Sequence, residues 1–174
     1  DRMADKFARL LSISLGNIKN LYDEKYDKGS FIKNIILDNI LPSDVLYKTR
    51  ELKLSVEVSR VVLLVRSQKT VEVSLVDVLQ GIFPDTAKDF IIRIDDHDVA
   101  VVREMKQGAT EQEILKLAQE LHDTVTSEIM VKVSVGISTV VETIQELARA
   151  YREARIALEV GKVFDTEKNI ISYD

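Results

Sequence analysis

Four consecutive polar residues, Asp95-Asp96-His97-Asp98, carry the densest chemical potential in the chain. Three carboxylates beside an imidazole are the donor types that hold zinc, manganese or magnesium. Adjacent residues on a tight turn point in diverging directions, however, and Asp is favoured in turns because it hydrogen-bonds its own backbone. A solvated acidic turn is therefore preferred here to a metal site, and no metal or cofactor is expected. His122, beside Leu121 and Asp123, reads as a surface position on a helix and not as a ligand. Neither histidine has a serine-based triad pattern around it. Arg66, Arg93 and Arg103 are candidate anion contacts, each with an ordinary ion-pair alternative. Arg149, Arg152 and Arg155 recur every third residue, and a solvated face paired with Glu146, Glu153 and Glu159 is the expected arrangement. Gly136 is expected to admit a neighbouring helix, since no Gly-x-Gly-x-x-Gly or phosphate-binding Lys-Ser/Thr loop is present.

These residues need elements to position them. Arg60 to Arg66 form a continuous β-branched run, suited to a central strand buried on both faces. Residues Val73 to Phe83 carry apolar side chains at helical spacing, and Pro84 ends that helix. Phe90 to Ile94 and Val99 to Val102 form two strands with the acidic turn between them, as in a hairpin. Thr110-Glu111-Gln112-Glu113 has a capping-box pattern, opening a helix to about Ile129. Val131 to Ile137 alternates as a strand. Thr143 to Phe164 follows as a long helix, with Tyr151 a core anchor in register with Leu147, Ala154 and Leu158. Ile170 to Tyr173 closes as a short strand. The order predicts an α+β fold with a mixed, mainly antiparallel sheet of about five strands and packed helices.

Residues 1–55 differ from 56–174 by reading as helices alone, a lead-in to the second unit. Phe7, Leu11, Leu15, Ile18 and Tyr22 fall on one helical stripe, close to a coiled-coil seam. The stripe fits either a linker or homodimer seam, which is slightly favoured, or packing on its own domain. Asp23 to Ser30 is expected to break this helix, with Ser30 capping a second one that ends before Pro42. Ser43 and Asp44 would open a third, running through Lys53.

Composition narrows the function further. The 174 residues are 45% hydrophobic and 30% charged, ordinary for a globular protein and unlike a disordered one. No apolar run is long enough to span a bilayer, and nothing reads as a signal peptide. The absence of cysteine excludes disulfides, thiolate sites and a cysteine nucleophile, and fits a cytoplasmic protein. The net charge of −5 is spread without a basic patch, so this stretch is not expected to bind DNA itself.

The strand order, the short polar hairpin and a later Ser134-Val135-Gly136-Ile137 strand together resemble the diguanylate cyclase domain family, named for its Gly-Gly-Asp-Glu-Phe hairpin. Arg93-Ile94-Asp95-Asp96-His97-Asp98-Val99 falls where that hairpin motif lies. The last helix, Tyr151-Arg152-Glu153-Ala154-Arg155-Ile156-Ala157-Leu158, and the closing Ile170-Ile171-Ser172-Tyr173-Asp174 are similar to a narrower group. That group is the cyclase-like middle domain of the carbohydrate-diacid and purine-catabolism transcription regulators. The resemblance implies a nucleotide-cyclase or ferredoxin-like fold over about residues 55–174. It further implies a sensor upstream that binds a small-molecule effector, and a helix-turn-helix DNA-binding domain near or beyond Asp174.

The resemblance also implies which chemistry is missing. Active relatives hold divalent metal with a carboxylate on the first strand and another in the hairpin. Here Leu63-Leu64-Val65-Arg66-Ser67 offers no acid, Asp95 and Asp96 replace the glycines, and His97-Asp98 replaces the catalytic pair. No catalytic residue carries over, and an enzyme is not expected. A signal-transmitting, dimerising domain is the leading reading. The alternative is a small-metabolite or nucleotide binding module in the old cleft.

Overall fold

A computed structural model describes residues 2–70, 73–164 and 167–174, with the side chains of 21–26 left aside. The central strand forms as its sequence predicts. β1 (Glu57–Ser67) is buried from Ser59 to Val65, and its alternate residues serve two separate cores. Val61, Leu63 and Val65 join the apolar cluster beneath α3 (Val73–Ile82) and α4 (Glu111–Ile129). Val62 and Leu64 join the cluster on the opposite face, under the end of α1 (Arg2–Ile36), α2 (Pro42–Glu51) and α5 (Leu147–Phe164). A run without polar alternation is what a strand covered on both faces requires.

Around β1 the sheet has the order β2-β3-β1-β4-β6, with β2 Asp89–Arg93, β3 Asp98–Glu104, β4 Val133–Ile137 and β6 Ile170–Ser172. The β2–β3, β3–β1 and β1–β4 pairs are antiparallel; β4 and β6 are parallel, joined by the α5 crossover. The fold is thus α+β, with a mixed and mainly antiparallel sheet. Among the described residues it has six strands, against the expectation of about five. The additional strand, β5 (Val141–Thr143), pairs with β1 near Arg60 across a register shift. Three residues carry too short an alternation to be seen in sequence.

The helices depart from expectation at their ends. No break falls at Asp23–Ser30; α1 runs on as one helix to Ile36. That stretch contains no proline, and Gly29 costs only about 1 kcal/mol in a helix interior. Burial of Phe31, Ile32, Ile35 and Ile36 on the sheet outweighs it. The helix stops at Ile36, where Asp38 turns left-handed, and not at Leu41. Leu41 instead caps α2, with Pro42 in its first turn, where its missing N–H costs nothing. The capping box at Thr110 and Glu113 is present with both reciprocal hydrogen bonds. A 3-10 turn at Ile144–Glu146 precedes α5, so the last helix begins at Leu147 and not at Thr143. No helix among the described residues is long and apolar enough to cross a membrane.

Candidate functional site

The acidic turn joins β2 to β3 and its geometry is fixed by its first residue. Asp95 Oδ1 accepts hydrogen bonds from the His97 and Asp98 N–H groups, both at 2.8 Å. Desolvation pushes the Asp95 carboxyl up, but those two donors and the Arg66 charge hold it below the ordinary carboxylate range. Asp96 is exposed and meets Arg93 at 3.4 Å. Val99 is fully buried against the α3 and α4 face.

Asp98 faces Arg66 directly across the β1–β3 ladder. The two form a bidentate fork, Nε to Oδ1 at 2.9 Å and Nη2 to Oδ2 at 2.8 Å. The bond to Asp98 raises the Arg66 guanidinium further above its ordinary value. His97 closes the turn onto the end of β1: its carbonyl accepts from Ser67 N–H at 2.8 Å, and Nδ1 lies 3.2 Å from the Ser67 carbonyl. A carbonyl only accepts, so this contact requires the proton on Nδ1. The four turn side chains are therefore engaged with separate partners. No group of three or more His, Cys, Asp or Glu among the described residues is arranged to hold a metal.

Beside the turn, the end of β1, the start of β4, the end of α5 and the start of β6 enclose a cleft of about 810 Å³. Arg66, Lys132, Lys162 and Lys168 line it with Asp95 and Asp98. Arg66 and Asp98 bond one another, and the lining as a whole holds Arg66 and three lysines with two carboxylates. The sequence reading missed these lysines. Lys132 stands just ahead of Val133, which pairs with Ser67, and Lys162 follows Gly161 at the end of α5. Only the sheet register brings them together, and no local pattern marks it.

The remaining candidates fall elsewhere. Arg103 binds Asp89 at 3.0 Å and stacks over Phe83, at the opposite end of β1 from Arg66. Arg93 lies on the outer strand, so the three arginines do not converge. Arg149 pairs with Glu146 and Glu153, and Arg155 with Glu159, as expected of a charged helix face. Arg152 instead reaches Asp38, at 4.0 Å, tying α5 to the end of α1. His122 is half-buried, with Nδ1 3.3 Å from Asp123. Tyr151 is buried in the core beside Leu147, Ala154 and Leu158. Gly136 admits α5: a Cβ there would collide with the Ala154 carbonyl oxygen and lie 2.8 Å from Leu158 Cγ.

On the α1 stripe, Phe7, Leu11, Leu15 and Ile18 are 56–68% exposed, and every residue from Arg2 to Asn20 is exposed. Tyr22 belongs to the same stripe, but its side chain lies outside the described residues.

A family model described as a GGDEF-like domain matches residues 38–160. The chain belongs to the GGDEF-like domain family. Within the matched stretch lie the hairpin, the Arg66–Asp98 fork and most of α5. No curated protein matches the chain.

Proposed function

We propose that this GGDEF-like domain is non-catalytic and serves as the signal-transmitting, dimerising unit of a cytoplasmic transcription regulator. In this reading an upstream sensor binds the effector and a downstream helix-turn-helix domain contacts DNA. The observation that carries it is the two-part nature of α1. Its last turns are buried in the sheet core, while its first nineteen described residues, Arg2 to Asn20, are exposed along an apolar stripe. A second copy of the same helix is the occupant that such a stripe fits. A change in the seam would then pass down a continuous rod to β2 and α5, on which the end of α1 packs.

The absence of turnover is supported by the Arg66–Asp98 fork, which ties up the buried turn carboxylate, and by the lack of an acid at the end of β1. Sedimentation across a wide concentration range, beside a Leu11→Glu/Leu15→Glu variant, tests the dimer. The wild type should self-associate and the variant should remain monomeric; two monomers would sink the seam. A product assay with GTP and magnesium or manganese should stay flat.

A second reading is favoured by the cleft. Lys132 and Lys162, lining a cleft of about 810 Å³, suit an anionic metabolite or nucleotide bound without conversion. Thermal shift with GTP, cyclic dinucleotides, sugar diacids and purines tests it, since a ligand that binds only the folded state raises the melting temperature. No shift at millimolar ligand would dismiss it.

A further inference from the structure

β2 is an outer strand of the sheet, paired with β3 on one side only. Ile94 N–H donates to Asp98 O and Glu104 N–H donates to Lys88 O, so the even residues of β2 bond inward. By the alternation of an antiparallel ladder, the N–H and C=O groups of Asp89, Ile91 and Arg93 turn outward. Asp89 N–H bends back to the Asp85 carbonyl at 2.8 Å, which leaves Ile91 and Arg93 as the open donors among the described residues. Exposed edges are ordinarily blunted by proline, charged side chains or a bulge. Asp89-Phe90-Ile91-Ile92-Arg93 contains no proline, confines its two charges to its ends, and pairs with β3 in unbroken register.

This edge is recessed. A groove of about 460 Å³ runs along it, walled by Gly29, Ser30 and Lys33 of α1 on one side and Gln80 of α3 with Phe83 on the other. The strand's own residues form its floor. Residues of α1 and α3 both line this groove, so the open edge lies between two helices of the domain. The charge is one-sided as well. Lys33 and Arg93 line the slot, no carboxylate among the described residues does, and the exposed Asp96 holds Arg93 only at 3.4 Å. A positive slot on a chain of net charge −5 favours an acidic occupant.

We infer that the β2 edge is a docking site for an extended peptide segment with an apolar centre and carboxylate side chains at its ends. Such a segment adds a strand to the sheet. Its backbone bonds Ile91 and Arg93, its centre lies against Phe83, Phe90 and Ile92, and its carboxylates meet Lys33 and Arg93. This surface lies apart from both the α1 stripe and the lysine cleft, and the inference stands without either.

The test uses the full chain, isotopically labelled, with the probe acetyl-Glu-Val-Ile-Val-Glu-amide. Amide resonances and hydrogen exchange are followed at Ile91 and Arg93. The probe should shift both resonances and slow both amides at least fivefold at millimolar concentration. A probe N-methylated at alternate nitrogens should do neither. A probe with lysine in place of glutamate should bind at least threefold more weakly, and Arg93→Glu should reverse that preference. Arg93 is half-exposed and makes only long contacts, so this variant is expected to fold. No response at β2, or an equal response to the N-methylated probe, overturns the inference. Slowing by protein concentration alone also overturns it, and assigns the edge to a second copy of the chain.

Discussion

Arg60 is the residue whose surroundings fit it least. It is 3% exposed, on the face of β1 that carries Val62 and Leu64, and its Nη2 donates to the Ser55 carbonyl at 2.7 Å. Among the described residues, Nε and Nη1 are buried without a partner. Desolvation lowers the guanidinium below its ordinary value, and Glu104 offsets that only in part. Buried charge with unmet donors is costly, and apolar replacements of similar volume are often neutral or stabilising. Arg60→Met should therefore leave urea unfolding unchanged or raise stability by about 1 kcal/mol. Glu153 is the opposite case. Desolvation raises its carboxyl, but hydrogen bonds from Thr139 N–H and Oγ1, at 3.0 and 2.6 Å, and from Arg149 carry it below the ordinary range. A carboxyl with a lowered folded pKa contributes stability that is full above its unfolded pKa, about 4.3, and is lost as pH falls through the folded value. Glu153→Gln should thus be less stable than wild type at neutral pH, and the gap should close on acidification below about pH 4. Unfolding midpoints measured from pH 7 to 3 will show whether the two curves converge.

Elements show how far local pattern reaches. β1, the hairpin and the Thr110 cap were legible because each rests on neighbours in sequence: an apolar run, turn residues between two strands, and a cap with its reciprocal Glu. The turn was legible as Asp95-Asp96-His97-Asp98. The Arg66–Asp98 fork and the convergence of Lys132, Lys162 and Lys168 were not, because both depend on register between strands far apart in the chain. The role of Gly136 was legible because a strand glycine signals close approach. Gly136→Ala would drive a methyl into the Ala154 carbonyl, backbone that cannot swing aside. It should cost about 1–3 kcal/mol in urea unfolding, the usual price of overpacking. The stretch Asp23 to Ser30, which contains Gly29, misled in the other direction, reading as a break where the helix continues. Nothing lies within 4 Å of a Cβ built there, so Gly29→Ala should stabilise the chain by about 0.5–1 kcal/mol. A genuine break at that position would give no gain.

At the scale of the whole molecule, α1 joins two regimes of stability. From Phe31 to Ile36 it shares the core under β1, and its amides there should open only with the domain. From Arg2 to Asn20 it is exposed on every side. A helix without tertiary contacts must offset its costly nucleus by propagation alone, whereas in proteins most helical stability comes from packing an amphipathic face. The same segment carries Phe7, Leu11, Leu15 and Ile18 in the open. Its persistence as helix therefore depends either on propagation from the anchored end or on a partner along the stripe. The two alternatives separate in hydrogen exchange. In dilute solution, exchange should quicken steadily from residue 31 back towards residue 2. If the stripe is a seam, raising protein concentration should slow residues 2–20 alone and leave 31–36 unchanged, because those already open with the core. If exchange along residues 2–20 is independent of concentration, the helix is held by its anchor only, and transmission by dimer geometry loses its structural basis.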